Sequence, residues 1–145
     1  MNDPAPGTSR RADGEVLFYD GGCGLCHLAV RLTLAADRRG RFRFAPLEGE
    51  TFLDLVPVDE RRNLPDSLVL RTSAGAVLTR WKAVVEVLRG LGGPWPALAI
   101  LGRLVPLRLG DALYDAVARV RHRLFRRPDD RCPVVRRELR ARFLP

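Results

Sequence analysis

The chain has 145 residues, 46% of them hydrophobic, and carries a net charge of +8 from 25 basic and 17 acidic side chains. That length suits one domain with a real core and leaves no room for a second. No apolar run approaches the ~20 residues of a membrane-spanning helix; the best stretch, Trp95 to Val105, is short and contains Arg103.

The basic residues are almost all arginine, with Lys82 the single lysine, and they are spread along the chain without a nucleic-acid motif or interleaved aromatics. A solvated basic surface is therefore the simpler reading; nucleic acid is not expected as a partner, and an anionic membrane surface is a lesser alternative. Residues 1–14 hold Pro, Gly, Ser and charge, which predicts a disordered lead. They lack the apolar middle of a signal peptide, so a cytoplasmic location is expected. Three cysteines in such a compartment favour redox or metal chemistry over structural disulfides.

Val16 to Tyr19 reads as a strand ending at Asp20, Gly21-Gly22 as a turn, and the amphipathic stretch to Ala36 as a helix with Cys23 and Cys26 at its mouth. One helical turn separates the thiols, close to the ~4.4–6.8 Å between Cα atoms that a disulfide wants. Unpaired amides and the macrodipole at a helix N-terminus stabilise a thiolate, the nucleophilic form of cysteine. Cys23, expected to be the more exposed, is the candidate nucleophile, and Cys26 the shielded resolving thiol. Asp20 has two readings: a base that takes the Cys26 proton, or a residue holding the turn through backbone amides. Gly21, Gly22 and Gly24 permit the turn and close approach of a substrate.

Further along, Arg38-Arg39-Gly40 closes the helix, and Phe42 to Phe44 reads as a second strand parallel to the first. A short helix over 50–56 would turn Phe52, Leu53 and Val56 inward, followed by a polar loop from Pro57 to Asn63. Ser67 to Arg71 and Ala76 to Thr79 read as a hairpin. A helix from Trp81 to Leu91 would place Val84, Val85 and Leu88 on one face. Two more, over 95–103 and 110–125, are separated by Pro106 and Gly110. The last would pack Leu113, Val117, Val120 and Leu124 on the core, with Arg119, Arg123 and Arg126 in water. Residues 128–145 read as a basic polar tail, in which Cys132 is free or acts as a second resolving thiol.

Two other chemistries fit the cysteine spacing. A zinc site needs two further ligands, and beyond carboxylates the chain offers only His27, His122 and Cys132. Cys-Gly-Leu-Cys-His matches a c-type haem attachment, but the export signal is missing and Met1 is the only methionine. No metal and no cofactor are therefore expected, and His27 reads as facing solvent.

The segments YDGGCGLC around Asp20, Cys23 and Cys26, LPDSLVL at 64–70, the hairpin after it, and the Tyr114 to Phe125 helix ending in RHRLF resemble the DCC family of thiol-disulfide oxidoreductases. The resemblance covers roughly residues 15–127. It implies an α/β, thioredoxin-like fold: a small mixed four-stranded sheet flanked by helices, here with a helical C-terminal extension. It also implies a cis Pro65 beside the cysteines, with the backbone at Leu64 pairing with the bound substrate. The implied activity is exchange of the Cys23–Cys26 dithiol with a protein disulfide or a low-molecular-weight thiol, restored by a separate reductant. Many oxidoreductases of this fold have proline between the cysteines; Gly24-Leu25 stands there instead. A second class of reading is a non-catalytic binding module that docks a partner or an anionic surface through its basic C-terminal helix.

Overall fold

The computed structural model describes residues 14–21, 23–64, 68–124 and 137–145, with the backbone alone at 122, 124 and 137–139. Val16, Leu17 and Phe18 form a run with no polar member, which suits a strand covered on both faces. They lie in β1 (Glu15–Tyr19) and are fully buried. The chain then enters α1 (Gly24–Ala36) and returns as β2 (Phe42–Pro46), parallel to β1 with Leu17 opposite Phe44. Parallel neighbours need a crossover, and α1 supplies it.

Two short helices follow, α2 (Glu50–Leu55) and α3 (Val58–Arg61), the latter inside the expected polar loop. β3 (Val69–Arg71) joins the free side of β1 antiparallel, and a tight turn brings back β4 (Val77–Thr79), antiparallel to β3. Gly75 makes that turn at φ +87°, a conformation side chains rarely adopt. The sheet order is β2-β1-β3-β4, followed by α4 (Arg80–Gly90), α5 (Trp95–Leu104) and α6 (Leu107–Leu124). This is the expected thioredoxin-like arrangement, a mixed four-stranded sheet flanked by helices with a helical C-terminal region.

Period-two alternation sends the strand side chains into two cores. Leu17, Phe42, Phe44 and Leu70 meet Val30 of α1 with Ala83 and Val87 of α4. Val16, Phe18, Ala45 and Val69 meet Phe52 and Val56 on the other face. There Phe18 and Phe52 pack edge to face with centroids 5.1 Å apart, a geometry worth about 0.5–1.5 kcal/mol beyond the area it buries. Leu53, expected to face inward, is exposed.

The chain end covers the outer edge of β2. Phe143 bridges Phe44 in parallel, the Leu144 N–H donates to the Phe44 carbonyl at 2.7 Å, and the Phe44 and Phe143 rings stack. Arg142 reaches Asp37, whose buried carboxylate also accepts the Arg41 and Phe42 amides at the end of α1. An open strand edge is thereby closed.

α6 departs most from its sequence reading. Pro106 accepts the Leu109 and Gly110 amides, so the helix starts at Leu107 and Gly110 lies inside it. Leu113, Val117 and Val120, expected to pack on the core, are exposed, Leu113 at 55%. The inward side carries Gly110, Asp111, Tyr114 and Arg121. Asp111 accepts the Trp81 amide in the first turn of α4 at 3.3 Å, and the Trp81 ring lies against Gly110. These contacts satisfy backbone groups that an apolar face would leave bare.

Two outcomes follow. A Cβ on Gly110 would stand 2.3 Å from the Trp81 ring. Gly110→Ala therefore loses about 1–3 kcal/mol in urea unfolding, although alanine is the better helix former. Glu15 is buried at the start of β1, with Oε1 accepting from Arg41 at 3.0 Å and Oε2 without a partner among the described residues. Burial raises its pKa above the ordinary 4.5, against the opposing pull of Arg41. A raised folded value means a contribution present below the ordinary pKa and lost as pH rises through the folded one. The melting-temperature gain of Glu15→Gln over the parent should thus be small at pH 4 and larger at pH 8; a difference independent of pH would refute this account.

Candidate active site

β1 ends at Asp20, and the Cys23 N–H closes the turn by donating to the Asp20 carbonyl at 3.2 Å. Cys23 is the N-cap of α1, its backbone extended and its carbonyl accepting the His27 amide at 3.1 Å. No side chain caps this helix start. His27, expected to face solvent, is half-buried and holds the turn instead. Its Nε2 lies 2.9 Å from the Gly21 carbonyl, and its ring meets Tyr19 edge-on at 5.8 Å. A carbonyl only accepts, so Nε2 carries the hydrogen.

The two thiols are both buried and lie close enough to interact, with no disulfide between them. Cys26 is pushed up to about 12, first by burial, then by its bond to Cys23 and by that neighbour's charge. The Asp20 backbone N–H donates to the Cys26 sulfur and the Arg121 cation lies near, but both pulls are outweighed. Burying a charge costs more than one donor and one cation return. The expectation that Cys23 is the open thiol fails: it is 2% exposed against 5% for Cys26. The capping position folds its side chain inward beside its partner.

Residues from α6 complete the surroundings. The Leu68 N–H donates to the Tyr114 hydroxyl at 3.0 Å, which ties α6 to the approach to β3. Arg121, one of few buried charged residues, shares a cavity wall with Cys26. Sequence reading did not single out Tyr114 or Arg121 for the site, and it left His27 facing solvent. Gly110, Tyr114 and Arg121 fall on one helical stripe, which becomes visible once Gly110 is placed inside the helix.

Of the expected site residues, Asp20, Cys23 and Cys26 stand together, and Gly24 opens α1. Leu64 turns its side chain into the core on the sheet face away from α1. Gly22, Pro65 with its expected cis bond, and Cys132 lie outside the described residues. Among those described, no three His, Cys, Asp or Glu side chains gather as a metal would require, and no helix is long and apolar enough to cross a membrane.

Residues 17–127 match the family described as DCC1-like thiol-disulfide oxidoreductase. The chain is 33% identical over 142 residues to YuxK of Bacillus subtilis (strain 168), an overlap covering 95% of this chain and 99% of that protein. It is 29% identical over 114 residues to a chloroplastic DCC family protein of Arabidopsis thaliana, covering 79% of this chain and 66% of the relative. No solved structure matches. With a match spanning the sheet, the thiol turn and α6, the chain belongs to the DCC1-like thiol-disulfide oxidoreductase family.

Proposed function

We propose that this protein exchanges a Cys23–Cys26 dithiol for the disulfide of a protein or low-molecular-weight substrate. The observation that carries the reading is the placing of Cys23 at the cap of α1 and Cys26 in its first turn, both buried, with burial pushing the Cys26 thiol up. The Cys23 thiolate, at the helix N-terminus, attacks one sulfur of the substrate disulfide. That bond breaks, a mixed disulfide forms, and the second substrate sulfur leaves as a thiolate that takes a proton from water. Cys26 then gives its proton to the Asp20 carboxylate and attacks the Cys23 sulfur. The Cys23–Cys26 disulfide forms as the first substrate sulfur leaves. Two electrons pass to the substrate, and a separate thiol reductant restores the pair; the reverse direction uses the same atoms.

Because Cys23 is covered at rest, docking of the substrate uncovers it. In this reading Leu64 and Pro65 hold the substrate backbone, while Gly22 and Gly24 leave room for it.

In a Cys132→Ser background, Cys26→Ser should accumulate a mixed disulfide with a disulfide-bearing peptide, visible by mass, and Cys23→Ser should not. No adduct in either would leave the binding-module reading. Asp20→Asn should prolong the mixed disulfide in single turnovers by about 10²-fold, without slowing its formation. Alkylation of Cys26 in Cys23→Ser should rise about tenfold per pH unit through pH 8–10, because burial, the largest cause of the raised pKa, remains. A plateau near pH 8.5 would show an ordinary thiol.

A further inference from the structure

The surface beside the thiols is hollowed. A cavity of about 290 Å³ lies between α1, α4 and α6, with Leu25 and Cys26 on one wall and Leu113 and Val117 on another. A second, of about 690 Å³, runs between α1 and α4 toward Gly93 and Trp95. The two share Ala29, Leu68 and Val84, so they form one groove along α1, with Cys26 near one end and Trp95 near the other. From Cys26 to its end at Ala36 the helix rises about 15 Å at 1.5 Å per residue.

Among the described residues, apart from Thr33, Trp81 and Tyr114, the groove walls are apolar or glycine; the charged ones are Arg121 at the thiol end and Arg38 at the far end, and no described carboxylate lines it. Leu32, 61% exposed, stands on the α1 side, and the exposed Leu113 on the α6 side. Apolar surface left in water along both sides of a groove marks a binding site more often than it marks ordinary packing.

We propose that this groove seats an apolar segment of a substrate polypeptide with an acidic residue at the end near Arg38, so that a disulfide in that segment arrives beside the pair. Among the described residues the groove is open along its length, and its span matches about four or five extended residues or nearly three helical turns. The exposed Arg38 at the far end of an apolar lining complements an acidic flank. Binding of an apolar segment between two helices reads alternate side chains into shared pockets, as in helix-in-groove recognition. What the segment delivers rests on the exchange reading above; that the segment binds does not.

The chain's two tryptophans report on the groove directly, Trp95 lining one cavity and Trp81 the other. The probe is a cysteine-free peptide of Leu, Phe and Ala with Glu at both ends, titrated into the full chain while intrinsic fluorescence is followed. A saturable change is expected, and a Gly/Ser peptide of equal charge should produce none. Leu32→Glu should weaken binding about tenfold or more. Leu104→Glu, on α5 at 76% exposure and outside the groove, should leave it unchanged. Arg38→Glu should weaken the Glu-flanked peptide and spare its Gln-flanked counterpart.

The proposal is overturned if no saturable change occurs, or if Leu32→Glu and Leu104→Glu weaken binding equally. It is also overturned if phosphatidylglycerol vesicles, or self-association on concentrating the protein, give the change that the peptide does not. A disulfide-bearing version of the peptide separates the two readings. Binding without exchange removes the exchange chemistry and leaves the groove, whereas exchange at equal KM for apolar and Gly/Ser peptides removes the groove and leaves the chemistry.

Discussion

The Leu68 amide donates to the Tyr114 hydroxyl across 46 residues of sequence, and the placement of everything around the thiols depends on that bond and its neighbours on α6. A backbone amide shielded from water must find an acceptor. α6 supplies one at Leu68 and another, through Asp111, at the start of α4. A helix docked through polar atoms turns its polar side inward. Gly110 then lets the Trp81 ring close on the helix backbone, Arg121 comes to lie beside Cys26, and the apolar stripe of Leu113 and Val117 is left outside. One docking geometry thus sets the electrostatic surroundings of the pair and one wall of the groove.

Opposing effects meet at Cys26. The Asp20 amide and the Arg121 cation favour a thiolate, while enclosure by α1, α4 and α6 disfavours one. Enclosure prevails, because removing a sulfur from water costs its charged form more than a single donor and a cation restore. In the exchange we propose, a thiol held protonated beside a partner at a helix N-terminus would give the pair an order of events, with one sulfur reacting first and the other waiting for a base. His27 contributes by stiffness: its bond to the Gly21 carbonyl fixes the turn on which the spacing of Asp20 and Cys23 depends.

The groove and the thiol pair share α1. Its N-terminal turn presents the sulfurs, and its flank from Ala29 to Ala36 forms the long wall of the hollow. A family defined by its cysteine turn accordingly extends to α6, since residues 17–127 include both the turn and the helix that closes over it. The last residues of the chain serve the frame, covering the β2 edge and pairing Arg142 with Asp37 at the far end of α1.

Local patterns in the sequence determined a good deal. The apolar run at Val16, the turn after Asp20, the two thiols one helical turn apart and the Thr72 to Gly75 hairpin are all signals carried by neighbouring residues, and each is where it was expected. The order of the elements, together with the resemblance at YDGGCGLC, points to the sheet arrangement that joins them. Tertiary structure alone decided which side of α6 meets the protein, because periodicity tells which residues share a face and not which face is covered. It likewise decided that Cys23 is buried and that His27 braces the turn, and it closed the β2 edge with Phe143. These outcomes depend on atoms distant in sequence that compete to satisfy buried backbone groups, and no window of neighbouring residues contains that competition.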